Sequence, residues 1–371
     1  MTVTLKSTPA QNGFRMPGEF EPHGGTWMLW PERPDNWREN AKPAQQTFTE
    51  LAATIARFEP VSMGVSPAHF KAARSVLPPQ IRVIEMTHDD CWMRDVGPTC
   101  VINAEGTVRG VDWHFNAWGG LQGGLYSPWD QDELVTSKVL EIERWDRYDA
   151  PFINEGGAVH VDGEGTVLVT EECLLNKNRN PRLSRAQTEA RLKAYLGVSK
   201  VVWLGKGVFN DETDGHIDEL ACFVRPGEIC LTWTDDKRDP QYAISLDAWE
   251  RLHDERDAKG RRFKVHKLPM PGPLFMTRKE ASGIARRAGT KPRCSGERLA
   301  ASYVNFYIVN GAIVMPRLDP RTDRTAAARL KQLFPRRRVV GVRTREILLG
   351  GGNIHCVTQQ MPATRAKAGP S

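Results

Sequence analysis

Cysteine is present but never arranged in pairs. The seven cysteines are scattered over 371 residues without a CxxC spacing, which argues against a disulfide framework and a structural zinc site and for a reducing compartment. No apolar run approaches the length of a bilayer-spanning helix. The opening residues Met1–Gly13 are polar and lack the apolar segment of an export signal, so the cytoplasm is expected. Neither HExxH nor an EF-hand loop occurs, and no RNA- or DNA-binding signature is present. Long polar linkers are missing too. One domain is therefore expected over 1–371, with an ordered core at about 14–362 and loose tails at Met1–Gly13 and Ala363–Ser371.

What is present is the composition of a globular protein: 40% hydrophobic and 26% charged residues, with a formal charge of +6. The basic clusters at Arg286-Arg287, Lys291–Arg293 and Arg336–Arg338 read as solvated faces and loops, with a polyanion footprint as the alternative.

A strand, a tight turn containing glycine and a second strand recur along the chain. The copies are Thr99–Ile102 with Thr107–Val108, Ala158–Val161 with Thr166–Thr170, Leu220–Val224 with Ile229–Trp233, and Val304–Val309 with Ala312–Met315. Between them lie amphipathic stretches read as helices: Pro43–Phe58, Ala68–Leu77, Gln131–Ile142, Ser184–Leu196, Ser245–Lys259 and Thr325–Phe334. A fifth unit is split between the chain ends, where His23–Pro31 is expected to pair with the glycine-led stretch at Cys356. Such pairing closes a ring and leaves no strand edge bare. The expected fold is an α/β propeller of five blades around a central pocket.

Chemistry concentrates beside glycines. Gly350–Gly352 leads to Cys356, a nucleophile at a pocket rim or a small buried hydrophobe. Asp89–Pro98 crowds acids and Arg94 around Trp92, so that Asp95 reads either as a ligand-binding acid or as half of a surface ion pair. Glu155 precedes a glycine pair, and Trp118 stands on a glycine-rich loop as pocket wall or core. Between Asp211 and Glu219, alternation in an extended segment would put His216 and Asp218 on one face. A metal is the competing use of those residues, but zinc takes three or four ligands and no such spacing is seen. One thiol, one imidazole and three carboxylates suit a guanidinium: it is planar, always charged and gripped bidentately by carboxylates. The cation also favours the thiolate, and the histidine serves as acid and then base. No metal or organic cofactor is required.

The blocks Trp92–Asp95, Asn154–Gly157, Gly215–Asp218 and Gly351–Cys356 resemble the signatures of the agmatine deiminase family, in the guanidino-group-modifying superfamily of five-bladed α/β propellers (pentein-like). Thr170–Pro181 and Ala301–Tyr307 are similar to that family as well. The resemblance runs from about Met16 to Pro362. It implies hydrolysis of agmatine to N-carbamoylputrescine and ammonia, on the way to putrescine. It further implies Cys356 as nucleophile, His216 as acid/base, and Asp95, Glu155 and Asp218 as guanidinium-binding acids. Trp92 and Trp118 fall at the pocket, and Glu212 or its neighbour Asp211 where an acid could face the far amine. A homo-oligomer, such as a dimer, is implied without any other macromolecular partner. Asp214 and Glu219 depart from the asparagines expected there and add negative charge, while Pro316–Pro320 departs from the expected loop. Both departures bear on substrate choice. They leave open a peptidylarginine deiminase, another guanidino substrate or an amidinotransferase. A silent amine-binding relative also stays open, although Cys356 and His216 argue against silence.

Overall fold

The computed structural model describes residues 2–364. It contains five separate sheets, one of them joining the two chain ends. Four follow one plan: an antiparallel hairpin, a helix, and a third strand parallel to the second. Thr99–Ile102 pairs with Val108–His114, which pairs with Arg147–Ile153. The corresponding sets are His160–Val161, Thr166–Thr170 and Lys200–Leu204, then Ala221–Arg225, Glu228–Trp233 and Lys264–Pro269, then Tyr307–Val309, Ala312–Arg317 and Arg338–Arg343. In the fifth sheet the hairpin is replaced by the meeting of the chain ends. Gln359–Pro362 runs antiparallel to His23–Leu29, which continues through Val61–Val65 to Arg82–Glu85.

Each sheet begins with a short strand at its edge, and these edge strands meet one another. Thr99–Ile102 contacts Gln359–Pro362, and His160–Val161 contacts Ala221–Arg225. The turns entering the edge strands are thereby gathered at the centre of the ring. The helices cover the other strands. Lys42–Ile55 buries Phe48, Leu51, Ala52 and Ile55, the i, i+3, i+4, i+7 stripe its sequence carries. Each large apolar side chain so buried contributes about 1.5–3 kcal/mol. Arg185–Leu196 starts at Ser184, whose side chain closes a capping box with Gln187.

Several expectations need correction. The helix expected at Ser245–Lys259 spans Pro240–Asp254, because Asp239 caps it and Pro240 occupies its first turn. Gln131–Ile142 is broken into Asp130–Glu133 and Val135–Glu143. The opening residues are not loose up to Gly13. Thr4–Leu5 pairs with Arg147–Tyr148, and Asn12 Oδ1 accepts from the Tyr148 hydroxyl at 2.9 Å. The partner of the His23 strand is Gln359–Pro362; Cys356 itself lies in the turn just before it. The tail expected at Ala363–Ser371 falls, from residue 365 on, outside the described residues. Among the described residues no helix is long and apolar enough to cross a membrane.

Candidate active site

Every edge strand is entered through a turn that carries one of the chemical groups. Asp95 sits in the helical turn Met93–Val96, ahead of Thr99–Ile102. Glu155 precedes the 3-10 turn Gly156–Ala158. His216 opens the turn Ile217–Leu220, which holds Asp218 and Glu219. Asn305 precedes Tyr307–Val309, and Cys356 precedes Gln359–Pro362. Residues up to 261 positions apart thus face one small volume.

The glycines report how tight that volume is. A Cβ on Gly157 would lie 2.5 Å from His216 Nδ1, 2.9 Å from Asp95 Oδ1 and 3.1 Å from Asp218 Oδ2. A Cβ on Gly352 would lie 3.0 Å from the Cys356 sulfur and 2.8 Å from the Trp92 ring. No side chain could stand at either place, so the two GG motifs are steric requirements of the site. Asp218 links the halves, its Oδ2 lying 3.6 Å from Cys356 Sγ. Asn305 Nδ2 donates to the same sulfur at 3.2 Å, while its Oδ1 accepts from the His355 amide at 3.0 Å.

Buried polar atoms normally find partners. Here, among the described residues, His216 Nε2, Asp218 Oδ1 and Glu219 Oε2 have no hydrogen-bond partner. A planar cation presenting N–H groups would satisfy the two carboxylate oxygens, while the protonated His216 offers a donor.

Charge is distributed unevenly. Burial alone would lower His216, but Asp95 at 3.8 Å and contacts with Cys173 and Glu155 hold it well above the ordinary histidine range. Burial pushes Asp95 up to about 6, with Asp218 and Glu155 adding to the rise and His216 opposing it. Burial, followed by Asp218, Glu219 and Asp95, raises the Cys356 thiol well above its usual value. The resting pair is therefore a thiol and an imidazolium. A cation placed between Asp95 and Asp218 removes much of what opposes the thiolate.

The structure separates residues that the sequence left together. Asp95 accepts from the Gly157 amide at 2.8 Å and from Trp118 Nε1 at 3.0 Å, which fixes its carboxylate. Glu155 is not free to grip a substrate with both oxygens. Its Oε1 is held by Arg179 Nε at 2.7 Å, leaving Oε2 at 3.7 Å from His216 Nε2. Asp211 does not face an amine either, since it accepts from Thr213 and from the His216 amide at 2.8 Å and so shapes the loop. Glu212 does reach the pocket mouth, a narrow cleft with a cavity volume of about 10 Å³ that Trp92, Trp118, Tyr126 and Arg293 also line. There it pairs with Arg293 at 3.0 Å and Lys291 at 3.5 Å. Trp92 and Trp118 meet edge to face at 6.3 Å and serve as both pocket wall and core. The face-sharing argument for His216 and Asp218 fails, because Ile217–Leu220 is helical. Asp211 and the turn bring the two side chains inward instead.

The departures also resolve. Asp214 is paired with Arg179 at 3.0 Å and adds no free charge. Glu219 lies 3.9 Å from the sulfur, where burial, Asp218 and Asp211 favour its neutral form. In Pro316–Pro320, Asp319 is tied to Arg321 at 2.8 Å and lies beside Gly272.

Sequence reasoning assigned no role to Arg179, Asn305, Cys173 or His355, although all four lie within the family blocks. Two buried clusters have the donor types of a metal site: Glu19, His160 and His355, and Glu155, Cys173 and His216. In the second, Arg179 already supplies the positive charge. In the first, Arg94 stands beside the ligand set and opposes a further cation.

Residues 15–362 match the family model of Porphyromonas-type peptidyl-arginine deiminase. The chain is 58% identical to agmatine deiminase of Pseudomonas putida KT2440 over 362 residues, covering 97% of this chain and 98% of the relative. Agmatine deiminase of Pseudomonas aeruginosa LESB58 is 56% identical over 361 residues, with 97% and 98% covered. Among solved structures, agmatine deiminase of Enterococcus faecalis superposes with a TM-score of 0.95 at 49% identity, covering 98% of this chain and 99% of that one.

Proposed function

From the membership of this chain in the Porphyromonas-type peptidyl-arginine deiminase family, we infer that it is an agmatine deiminase. It hydrolyses agmatine to N-carbamoylputrescine and ammonia, a step towards putrescine. The identity of over half the chain to agmatine deiminases, end to end, carries the choice of activity. The two unpartnered buried carboxylate oxygens near Cys356, Asp218 Oδ1 and Glu219 Oε2, support the reading of the site.

In the proposed mechanism Asp95 and Asp218 grip the guanidinium and place its carbon before the Cys356 sulfur. The bound cation favours ionisation of Cys356, whose thiol proton leaves to solvent, and the resulting thiolate attacks that carbon, forming a C–S bond. His216 then gives its proton to the departing nitrogen, and ammonia leaves. An amidino-thioether stays on the enzyme. The neutral His216 takes a proton from water, which adds to the same carbon, and the C–S bond breaks to release the ureido product and the thiol. Glu155, anchored by Arg179, orients the imidazole. Trp92 and Trp118 wall the alkyl chain, and Glu212 faces the far ammonium in exchange for its contact with Lys291. A homo-oligomeric state is carried over from the sequence resemblance, and a cytoplasmic location from the unpaired cysteines.

Asp95→Asn and Asp218→Asn should each cost roughly 1.5–3 kcal/mol of substrate recognition, the scale of a charge-assisted hydrogen bond. That corresponds to a rise in KM of about ten- to a hundredfold, read from initial rates; unchanged KM in both variants refutes the clamp. The function itself is tested by ureido-product formation from agmatine, arginine and a capped arginine peptide in parallel. Agmatine is expected to turn over best. Preference for the peptide, or turnover of none, would overturn the assignment.

A further inference from the structure

Behind the site runs a buried chain of charge that no step above uses. His355 Nδ1 lies 2.7 Å from Asp218 Oδ2, and its Nε2 lies 2.8 Å from Glu19 Oε2. The imidazole thus bridges two carboxylates, one of which faces the sulfur. All three side chains are nearly inaccessible. We propose that Glu19 and His355 form a charged strut that positions Asp218 and offsets its charge beside the sulfur.

The geometry carries the argument. Asp218 Oδ2 is shared between the His355 ring and the sulfur at 3.6 Å. Donation from His355 therefore fixes the carboxylate rotamer and leaves Oδ1 without a partner, turned to the pocket. Both ring nitrogens lie at hydrogen-bonding distance from a carboxylate, and both can donate only if the ring is protonated. Arg94 opposes that charge, while His160, whose ring stacks 6.1 Å away, is pushed by burial towards its own neutral form. Glu19 and Asp218 oppose burial and win, holding His355 above the ordinary histidine range. Glu19 is itself fixed by the Ile308 amide at 2.7 Å, on the turn side of the neighbouring sheet. His160 and Arg337 are the other charged or titratable groups acting on it.

Glu19→Gln separates charge from shape. The amide oxygen can still accept from Ile308, and the amide nitrogen can donate to a neutral His355 Nε2, so Nδ1–H still points at Asp218. Only the imidazolium charge is lost. Without it Asp218 bears unopposed on the sulfur, and the thiol becomes harder to ionise. The experiment is inactivation of the full chain by chloroacetamidine across pH, with the labelled peptide identified by mass. Wild type should be labelled at Cys356. In Glu19→Gln the midpoint of the profile should rise by about one pH unit, a tenfold slower reaction near neutrality, with kcat lowered alike and KM within about threefold. His355→Gln should raise KM as well, because Asp218 is then released. Profiles that superimpose on wild type in both variants overturn the strut and leave the nucleophile standing. Because the strut rests on Cys356 as nucleophile, labelling that misses Cys356 in wild type overturns both.

Discussion

Replacing Cys356 with alanine is expected to abolish release of ammonia from agmatine while agmatine still binds. In the proposed mechanism the sulfur is the attacking atom, and neither Asn305, at 3.2 Å from it, nor His216 can take over a bond to carbon. A fall of at least ~10⁴-fold in kcat is expected, since removing one member of a concerted catalytic set costs nearly as much as removing all. Binding should persist, because the proposed mechanism gives the grip on the substrate to Asp95 and Asp218 and not to the sulfur. Nor should the fold suffer. The thiol stands among carboxylates that oppose its ionised form, and without it the Asn305 amide still donates to the Asp218 carbonyl at 3.4 Å. Calorimetric titration with agmatine and a melting curve separate these expectations from simple unfolding. Hydrolysis clearly above background would reject the covalent route.

The second large effect is expected from His216→Gln. Proton transfer by a positioned side chain contributes about 10²–10⁴-fold, and that loss should appear in kcat. The pH profile carries the sharper information. Asp95, Cys173 and Glu155 hold His216 protonated against the effect of burial. The wild-type rate should thus fall as pH rises through the raised pKa of this group, because the leaving nitrogen then finds no acid. On the other side, Asp95 takes up a proton below about 6 and loosens its grip on the cation, so the rate falls there too. In the variant the alkaline fall due to His216 should vanish and the acid fall remain. An unchanged alkaline limb, measured as kcat against pH, would assign that limb to another group.

Much of this was legible in the chain because it is encoded locally. Turns such as Asn103–Gly106 and Asn310-Gly311 mark hairpins by residue type, and the structure pairs the strands on either side. The steric closeness around Gly157 and Gly352 explains why the chemical residues stand beside glycines. What was hidden depends on contacts between distant turns. Nothing near Glu155 announces that Arg179, 24 positions on, will occupy one of its oxygens. Nothing near Asn305 says that its amide will reach the sulfur of a residue 51 positions away. His216 and Asp218 were grouped correctly through a wrong local conformation, since a two-residue spacing suits a strand and the chain is helical there. The split fifth sheet was foreseen as a pairing but misplaced by three residues, because the glycine-led turn was taken for the strand it enters.

The central claim is that the guanidinium carbon passes through a bond to Cys356. Acid quenching of the enzyme during steady turnover of agmatine, followed by proteolysis and mass spectrometry, tests it most directly. The account predicts that the peptide containing Cys356 gains the mass of agmatine less ammonia. Turnover with that peptide unmodified, or with the added mass on another residue, would contradict it.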